Sequence, residues 1–208
     1  MPIKLLLKGP LVFSLAATLA LAFGDKDKKD DSRFVPGPAS SYSHQTTAKV
    51  TVAAVPYVTE EQARTAFGKQ NPYEYGILPV LMIVQNDSDQ ALRLDRIQVQ
   101  YESPSGKHLD PVAARDIPGL LKAPKRPEIY SPVPRIPGYK PKHKGPLSGW
   151  EIEGREFAAK LIPAHDSAYG FFYFQTGFME NSQLYLSGIV QAGTGKELFY
   201  YEVPLRRP

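Results

Sequence analysis

The stretch ILPVLMIVQNDSDQALRLDRIQVQY, residues 77–101, decides the fold of this chain. Its first eight residues are almost all apolar, at both odd and even positions, which is typical of a strand that is buried on both faces. Pro79 has no N–H to donate and is therefore expected near the start of this strand. Residues 86–89 are short polar side chains that bond their own backbone, so they predict a turn.

The second half of the stretch predicts another strand, paired with the first as a hairpin. Leu92 and Leu94 alternate with polar residues, and the alternation resumes in shifted phase from Ile97. A one-residue shift in phase is the mark of a β-bulge, which we place at Asp95 and Arg96.

Further strands are expected on both sides of this hairpin. Alternating or aromatic runs bounded by turn residues predict seven strands, at 48–55, 77–84, 92–101, 155–162, 169–175, 183–191 and 196–205. In the last strand, Phe199, Tyr201, Val203 and Leu205 are expected on one face. Short strands at this spacing predict a mainly β fold, an antiparallel sandwich of about seven strands.

One or two short helices accompany the strands. Thr59 and Gln62 match a capping box, and Gly68 follows as a helix end, so a helix of about two turns is expected between them. Asp110 followed by Pro111 predicts a second short helix over 110–115, with Asp110 as its N-cap.

Three pieces of the chain also resemble a known family. They are GILPVLMIVQNDSDQALRL, the turn PAHDS with the strand YGFFYF after it, and SGIVQAGTGKELFYYEVPL. Together they resemble the immunoglobulin-like accessory domains of exported bacterial proteins over about residues 48–205. The resemblance implies an immunoglobulin-like sandwich and an exported setting, and it assigns no functional residue. The chain departs from antibody-type domains in having no cysteine pair.

The N-terminal residues predict export. Lys4 and Lys8 precede an apolar, small-residue run, and cleavage after Ala22 or Gly24 would fit, so residues 1–24 are expected to be a signal peptide. A retained membrane anchor is the alternative. Residues 25–47, charged and then rich in Pro, Gly and Ser, predict a flexible tether, which leaves 48–208 as the domain. Without cysteine there is no disulfide, so the core alone must hold the domain. The expected location is the periplasm, the cell envelope or the exterior.

A basic, Pro-rich insertion at 122–144 is the main candidate for binding. It holds seven Lys or Arg residues and one acid, a net charge of +6, and its six prolines favour extended polyproline II. After the leader is removed the net charge is +2, so the remainder of the chain carries −4. The candidate contacts to an anionic partner are Lys122, Lys125, Arg126, Arg135, Lys140, Lys142, Lys144, Tyr130 and Tyr139. The alternative is a solvated insertion without a partner.

The partner of this insertion is expected to be a protein or an anionic envelope polymer. Basic and aromatic residues alternate there, as in some nucleic-acid binders, but export argues against nucleic acid. Membrane contact is expected only through an uncleaved leader or through the insertion itself.

Sequence features that could carry chemistry are few. The four histidines are scattered, and the set around Asp87 and Asp89 is too small for calcium, so neither a metal nor another cofactor is predicted. Residues 193–196, GTGK, are interpreted as a hairpin turn, and His165 and Asp166 as turn residues. Asn86-Asp87-Ser88 is a glycosylation sequon.

These observations favour a non-enzymatic envelope protein, a binding or scaffolding module. Two alternatives stay open. One is an envelope hydrolase or carbohydrate-active domain using acids on a sheet face, for example Glu151 and Glu153. The other is a structural subunit that assembles through an edge strand.

Overall fold

The computed structural model describes residues 34–120 and 150–207. In these residues the fold is mainly β and antiparallel, with eleven strands in three sheets and few helices. The strands are β1 Ser43–Thr47, β2 Val50–Pro56, β3 Leu78–Asn86, β4 Leu92–Arg93, β5 Gln98–Glu102, β6 His108–Leu109, β7 Leu161–Ile162, β8 Asp166–Phe174, β9 Gln183–Ser187, β10 Val190–Gln191 and β11 Tyr201–Pro204. The helices are α1 Glu60–Phe67, α2 Ile117–Leu120 and α3 Trp150–Glu153, with 3₁₀ turns at Ala39–Ser41, Pro72–Tyr75 and Ala114–Asp116.

The strands form a sandwich. The first sheet has the order β1-β2-β3-β8, the second β10-β4-β7, and the third β11-β9-β5-β6. Four of the eleven strands, β4, β6, β7 and β10, have only two residues, and seven are longer. Six of the seven longer strands overlap predicted segments, whereas β1 was not predicted and the predicted segment 155–162 contains only the short β7.

The predicted central strand is confirmed as β3. It pairs along its whole length with β8 on one side, and its residues 80–86 pair with β2 on the other. Its even-numbered apolar residues face the space between the sheets, and its odd-numbered ones face the opposite side. The aromatic run of β8 divides in the same way, because Phe174 joins the first cluster while Phe171 and Tyr173 join the second.

The first sheet is therefore covered on both faces. One face packs against the second and third sheets. The other face packs against the N-terminal segment and the three helices, chiefly through Phe34, Phe67 of α1, Ile117 of α2 and Ile152 of α3. This second layer explains why β3 is apolar at nearly every position.

The predicted hairpin across residues 77–101 is wrong. β3 pairs with β2 and β8, whereas β4 pairs with β7 and β10, and β5 pairs with β6 and β9. The polar segment after β3 is an arch that carries the chain from one sheet to the other. β3 and β4 each turn apolar residues to the same core. A hairpin and an arch give this same sequence pattern, so the pattern does not distinguish them.

The predicted bulge is wrong for the same reason. Residues 94–97 form a turn between β4 and β5, closed by a hydrogen bond from the Ile97 N–H to the Leu94 carbonyl at 3.3 Å. The shift in phase marks the place where the chain leaves the second sheet and enters the third.

The first predicted helix is confirmed and the second is not. α1 begins with the capping box of Thr59 and Gln62 and ends at Gly68. Residues 110–115 do not form a helix capped by Asp110: Val112 instead bridges to Tyr173 of β8, and the 3₁₀ turn that follows has no side-chain cap. The Val112 N–H donates to the Tyr173 carbonyl at 2.7 Å, so it is not free to be capped by the Asp110 side chain at the start of a helix.

The predicted tether at 25–47 is wrong over residues 34–47. Phe34 and Ala39 are buried against the first sheet, and Ser43–Thr47 form β1. The polar sequence of β1 gives no sign of a strand. The segment is a strand because it pairs with β2.

Three other predicted strands are shorter than expected. Only Leu161–Ile162 of 155–162 is a strand, although Glu156 bridges to β8. Residues 183–191 divide into β9 and β10 at Gly188, whose φ of +83° and close approach to the Arg96 carbonyl suit glycine alone. The last strand begins at Tyr201, so Phe199 does not share the buried face and is 76% exposed.

The leader 1–24, the first nine tether residues and the basic insertion 122–144 lie outside the described residues. Among the helices of residues 34–120 and 150–207, none has the length and apolar character to cross a membrane.

Candidate binding groove

All nine residues that the sequence nominates for an anionic partner lie outside the part of the chain that the structure describes. They are Lys122, Lys125, Arg126, Tyr130, Arg135, Tyr139, Lys140, Lys142 and Lys144. The binding role of this basic insertion therefore stays a prediction from sequence.

A groove beside α1 is a concavity that the described residues offer as a binding site. Its volume is about 600 Å³, and it is half open to solvent. It is lined by Glu60, Ala63, Arg64, Gly68, Lys69, Gln70, Asn71, Glu74 and Tyr75. We call this feature the α1 groove.

One wall of the α1 groove is the exposed side of α1. Its N-terminus is fixed by the capping box, in which the Gln62 N–H donates to the Thr59 hydroxyl at 3.2 Å. Ala63 turns toward the core, which leaves Glu60 and Arg64 on the groove side. At the other end of the helix, the Arg155 Nε donates to the Ala66 carbonyl at 3.2 Å. The wall is thus held at both ends.

The other wall is the 3₁₀ turn Pro72–Tyr75. Asn71 begins this turn, because its side-chain oxygen accepts from the Tyr73 N–H at 3.2 Å. The same side chain donates from Nδ2 to the Glu74 carboxylate at 3.0 Å and so holds Glu74 in place. The Ile77 N–H closes the turn on the Pro72 carbonyl at 3.1 Å and leads directly into β3. Both walls are therefore attached to the central sheet.

The lining of the α1 groove is polar and balanced in charge. Glu60 and Glu74 face Arg64 and Lys69, so the groove has no net charge. Gln70 contributes a side-chain oxygen that is buried and has no hydrogen-bond partner in the structure. Tyr75 is 44% exposed and offers an aromatic surface. An exposed ring among charged and amide side chains suits a ligand that carries both hydroxyl groups and an apolar face.

The two carboxylates of the α1 groove bear on the hydrolase alternative. Glu60 and Glu74 are both exposed to solvent. A glycosidase needs one carboxyl group in an apolar environment that keeps it protonated, and neither residue has one. Glu151 and Glu153, nominated from sequence, do not lie on a strand, because this segment is α3.

The tyrosines whose pKa is raised lie in the core. Burial raises the pKa of Tyr201 to about 12 and raises the pKa of Tyr57 and of Tyr173 further. The raised pKa values lie far above neutral pH, so these hydroxyl groups keep their protons at pH 7 and do not act as acid–base groups. Tyr173, for example, donates to the Ile152 carbonyl at 2.7 Å.

A polar cluster lies at the end of the first sheet, where the β1–β2 turn meets the turn before β8. The Asp89 carboxylate lies 3.2 Å from His165 Nε2 and 3.7 Å from Lys49 Nζ, and all three side chains are largely exposed. His165 stands in a turn with φ of +58°, which confirms its interpretation as a turn residue. No group of three or more His, Asp or Glu within residues 34–120 and 150–207 is placed to hold a metal ion.

The predicted glycosylation sequon is inaccessible in the folded chain. Asn86 is completely buried, and its Nδ2 donates to the Gln90 carbonyl at 2.8 Å and to the Pro163 carbonyl at 2.7 Å. The nitrogen that would carry a glycan is therefore already bound on both of its hydrogens. Asn86 is a structural residue.

Sequence reasoning identified α1 but missed the groove beside it. The Asn71-Pro72 pair could have predicted the 3₁₀ turn, because an Asx cap with Pro at the first position is a helix-start signal. Nothing in the sequence places this turn opposite α1. Searches against models of known protein families and against curated proteins find no match for this chain.

Proposed function

We propose that this protein is an exported, non-enzymatic binding module on a β-sandwich, and that its α1 groove binds a saccharide. The observation that carries the proposal is the exposed ring of Tyr75 in the same groove lining as the hydrogen-bonding side chains of Arg64, Lys69 and Glu74. The wider interpretation, an immunoglobulin-like sandwich at the cell envelope, rests on the sequence motifs and the leader.

The size and chemistry of the α1 groove support a sugar as the ligand. Ligand sites usually have a volume of about 300–1,000 Å³, and about 600 Å³ holds one or two sugar rings. Sugar hydroxyls both donate and accept, so they can pair with Glu74 as an acceptor and with Arg64 and Lys69 as donors. The balanced charge of the lining favours a neutral or zwitterionic sugar over a polyanion.

The basic insertion 122–144 has a different role in this proposal. Its net charge of +6 favours an anionic partner, such as an acidic envelope polymer or an acidic protein surface. The module would then hold a saccharide in the groove and an anionic group on the insertion. Deleting 122–144 should weaken binding to an anionic polymer at low salt and leave saccharide binding unchanged.

A nuclear magnetic resonance titration tests the groove. Uniformly labelled protein is titrated with neutral, N-acetylated and uronic-acid oligosaccharides, and amide shifts are followed. We expect saturable shifts at Gln70, Asn71 and Tyr75 with a neutral or N-acetylated sugar. Tyr75→Ala should weaken binding about tenfold, or ~1.4 kcal/mol, because the stacking surface is lost.

The matched control is Tyr200→Ala. Tyr200 is 51% exposed, close to the value for Tyr75, but it does not line the α1 groove. It should bind the sugar as the wild type does. The absence of saturable shifts with all three sugars, or an equal loss in both variants, would refute the groove as a saccharide site. Release of shorter sugars during the titration would favour the carbohydrate-active alternative.

A further inference from the structure

The ends of the sandwich sheets differ in how well their backbone groups are covered. A strand at the end of a sheet presents free N–H and C=O groups, and proteins usually block these groups to prevent unwanted pairing. The first sheet ends at β1 and β8, and the third ends at β11 and β6. Two of these four ends, β11 and β8, are covered at least in part by other groups, and a third, β6, has only two residues.

The outer edge of β11 is blocked by a side chain and by a proline. The Glu202 N–H donates to the Gln45 side-chain oxygen at 2.8 Å. The next outward position is Pro204, which has no N–H. An added strand would therefore find no free donor along β11.

The outer edge of β8 is blocked by backbone at Phe171 and Tyr173. The Val112 N–H donates to the Tyr173 carbonyl at 2.7 Å. Phe171 is bonded on both of its groups, since its N–H donates to Arg155 at 2.8 Å and its carbonyl accepts from Phe157 at 3.0 Å. At the other end of the third sheet, β6 pairs with Tyr101 and Glu102 of β5 and has only two residues, which leaves little edge for an added strand.

The outer edge of β1 has no such cover among the described residues. Thr47 and Val50 flank the two-residue turn of Ala48 and Lys49, so they form a hydrogen-bonded pair. Because hydrogen bonding alternates along a strand, the backbone groups of His44 and Thr46 point away from β2. Both residues are exposed.

The sequence of β1 also lacks the usual protection. Natural edge strands carry Lys, Pro or a bulge that discourages pairing. The five residues of β1, SHQTT, contain none of these, and they pair with β2 in unbroken register. The strand bears no fixed charge, so two copies of it would not repel each other.

We propose that β1 is a strand-pairing edge that binds β1 of a second copy of this chain. In an antiparallel pair centred on Gln45, His44 of each copy lies opposite Thr46 of the other. These are the two residues whose backbone groups face outward, so the pair forms four backbone hydrogen bonds. The two first sheets then become one sheet of eight strands. This inference is independent of the saccharide site.

The contact is small, so the association is expected to be weak. Stable interfaces bury about 1,200–2,000 Å², and one five-residue strand pair buries less. Sedimentation velocity of the full chain, from about 5 μM to about 1 mM, is therefore the appropriate assay. We expect the sedimentation coefficient to rise with concentration from the monomer value toward the dimer value.

Two substitutions at one position separate the backbone from the side chain. Thr46→Pro removes an outward N–H and should raise the dissociation constant at least tenfold. Thr46→Val removes only the hydroxyl, which bonds the Thr51 hydroxyl at 2.8 Å, and should associate as the wild type does. If Thr46→Pro is poorly folded, Thr46→Lys is used in its place. Its control is then Thr51→Lys, because Thr46 lies on the edge strand whereas Thr51 lies in β2, which is paired on both sides.

Hydrogen exchange identifies what covers the edge. The His44 and Thr46 amides should exchange fast at low concentration and slowly at high concentration. Protection of these amides at the lowest concentration would mean that the chain's own residues cover β1, and this result would overturn the proposal. A wild type that stays monomeric throughout, or a Thr46→Pro variant that associates equally well, would also overturn it.

Discussion

Asn86 is the polar residue on which the arch between the sheets depends. It ends β3, and its Nδ2 donates to the Gln90 carbonyl at 2.8 Å and the Pro163 carbonyl at 2.7 Å. Its Oδ1 accepts from the Ser88 N–H at 3.1 Å and from the Ser88 hydroxyl at 2.6 Å. One buried amide thus joins the end of β3, the loop after it and the turn before β8.

Replacing this amide by a carboxylate keeps the shape and removes the donor. Asn86→Asp should lose two hydrogen bonds and leave the Gln90 and Pro163 carbonyls facing an oxygen. Each lost bond is worth about 1 kcal/mol, and each poorly satisfied buried group costs about 1 kcal/mol more. We expect the free energy of unfolding to fall by ~3–5 kcal/mol at pH 7, a large part of the ~5–15 kcal/mol typical of a domain.

The loss should depend on pH, with a definite sign. Burial and the two facing carbonyls raise the pKa of the introduced carboxyl group in the folded state above its unfolded value. Between these two pKa values the folded state binds a proton that the unfolded state does not, so stability falls as pH rises. The variant should therefore be closer to the wild type at pH 4.5 than at pH 7.

Urea unfolding followed by circular dichroism at both pH values measures this difference. The control is Asp87→Asn at the neighbouring exposed residue, whose side chain accepts hydrogen bonds from the Gln85 side chain and whose backbone bond to Lys49 the substitution leaves in place. It should change stability by less than ~0.5 kcal/mol. A loss below ~1 kcal/mol for Asn86→Asp, or a loss that does not shrink at low pH, would refute the assigned hydrogen bonds.

The remaining predictions concern the layer behind β8 and the alkaline limit of the fold. Gly170→Ala should destabilise by ~2–3 kcal/mol in urea unfolding, because a Cβ there would lie 2.5 Å from the Phe157 Cα. Tyr173→Phe should cost ~1–2 kcal/mol, because the buried Ile152 carbonyl loses its donor at 2.7 Å; hydrogen exchange at residues 150–153 should increase. Tyr201, with its pKa raised to about 12 by burial, keeps its proton in the folded state after the unfolded state has lost it, so stability should fall as pH rises above about 10. Tyr201→Phe should make this alkaline decline shallower.

Each of these three has an outcome that would contradict it. For Gly170→Ala it is a wild-type unfolding midpoint, which would mean that the segment at Phe157 moves freely. For Tyr173→Phe it is unchanged exchange near Ile152. For Tyr201→Phe it is an alkaline decline as steep as that of the wild type.

The sequence predicted the parts of the fold that depend on local pattern. The two apolar faces of β3 and the alternating aromatics of β8 specify strands whatever their neighbours are. The capping box of α1 specifies a helix start through contacts within four residues. Of the α1 groove, only this helix was predictable.

What the sequence left open were the partners of each segment. β1 has no hydrophobic alternation and becomes a strand only because β2 lies beside it. The arch at Asn86 has the turn residues of a hairpin, and nothing local says whether the next strand returns to the same sheet.

The sequence by itself determined that this chain forms strands with two buried faces and contains a basic insertion, and it predicts a leader. The tertiary structure decided which strands pair, where the α1 groove opens and which edge stays uncovered. The physical reason is that periodicity and capping are set by residues within one or two turns or strands. Pairing, grooves and free edges are set by contacts between residues such as Gln45 and Glu202, which are far apart in the chain and adjacent in the fold.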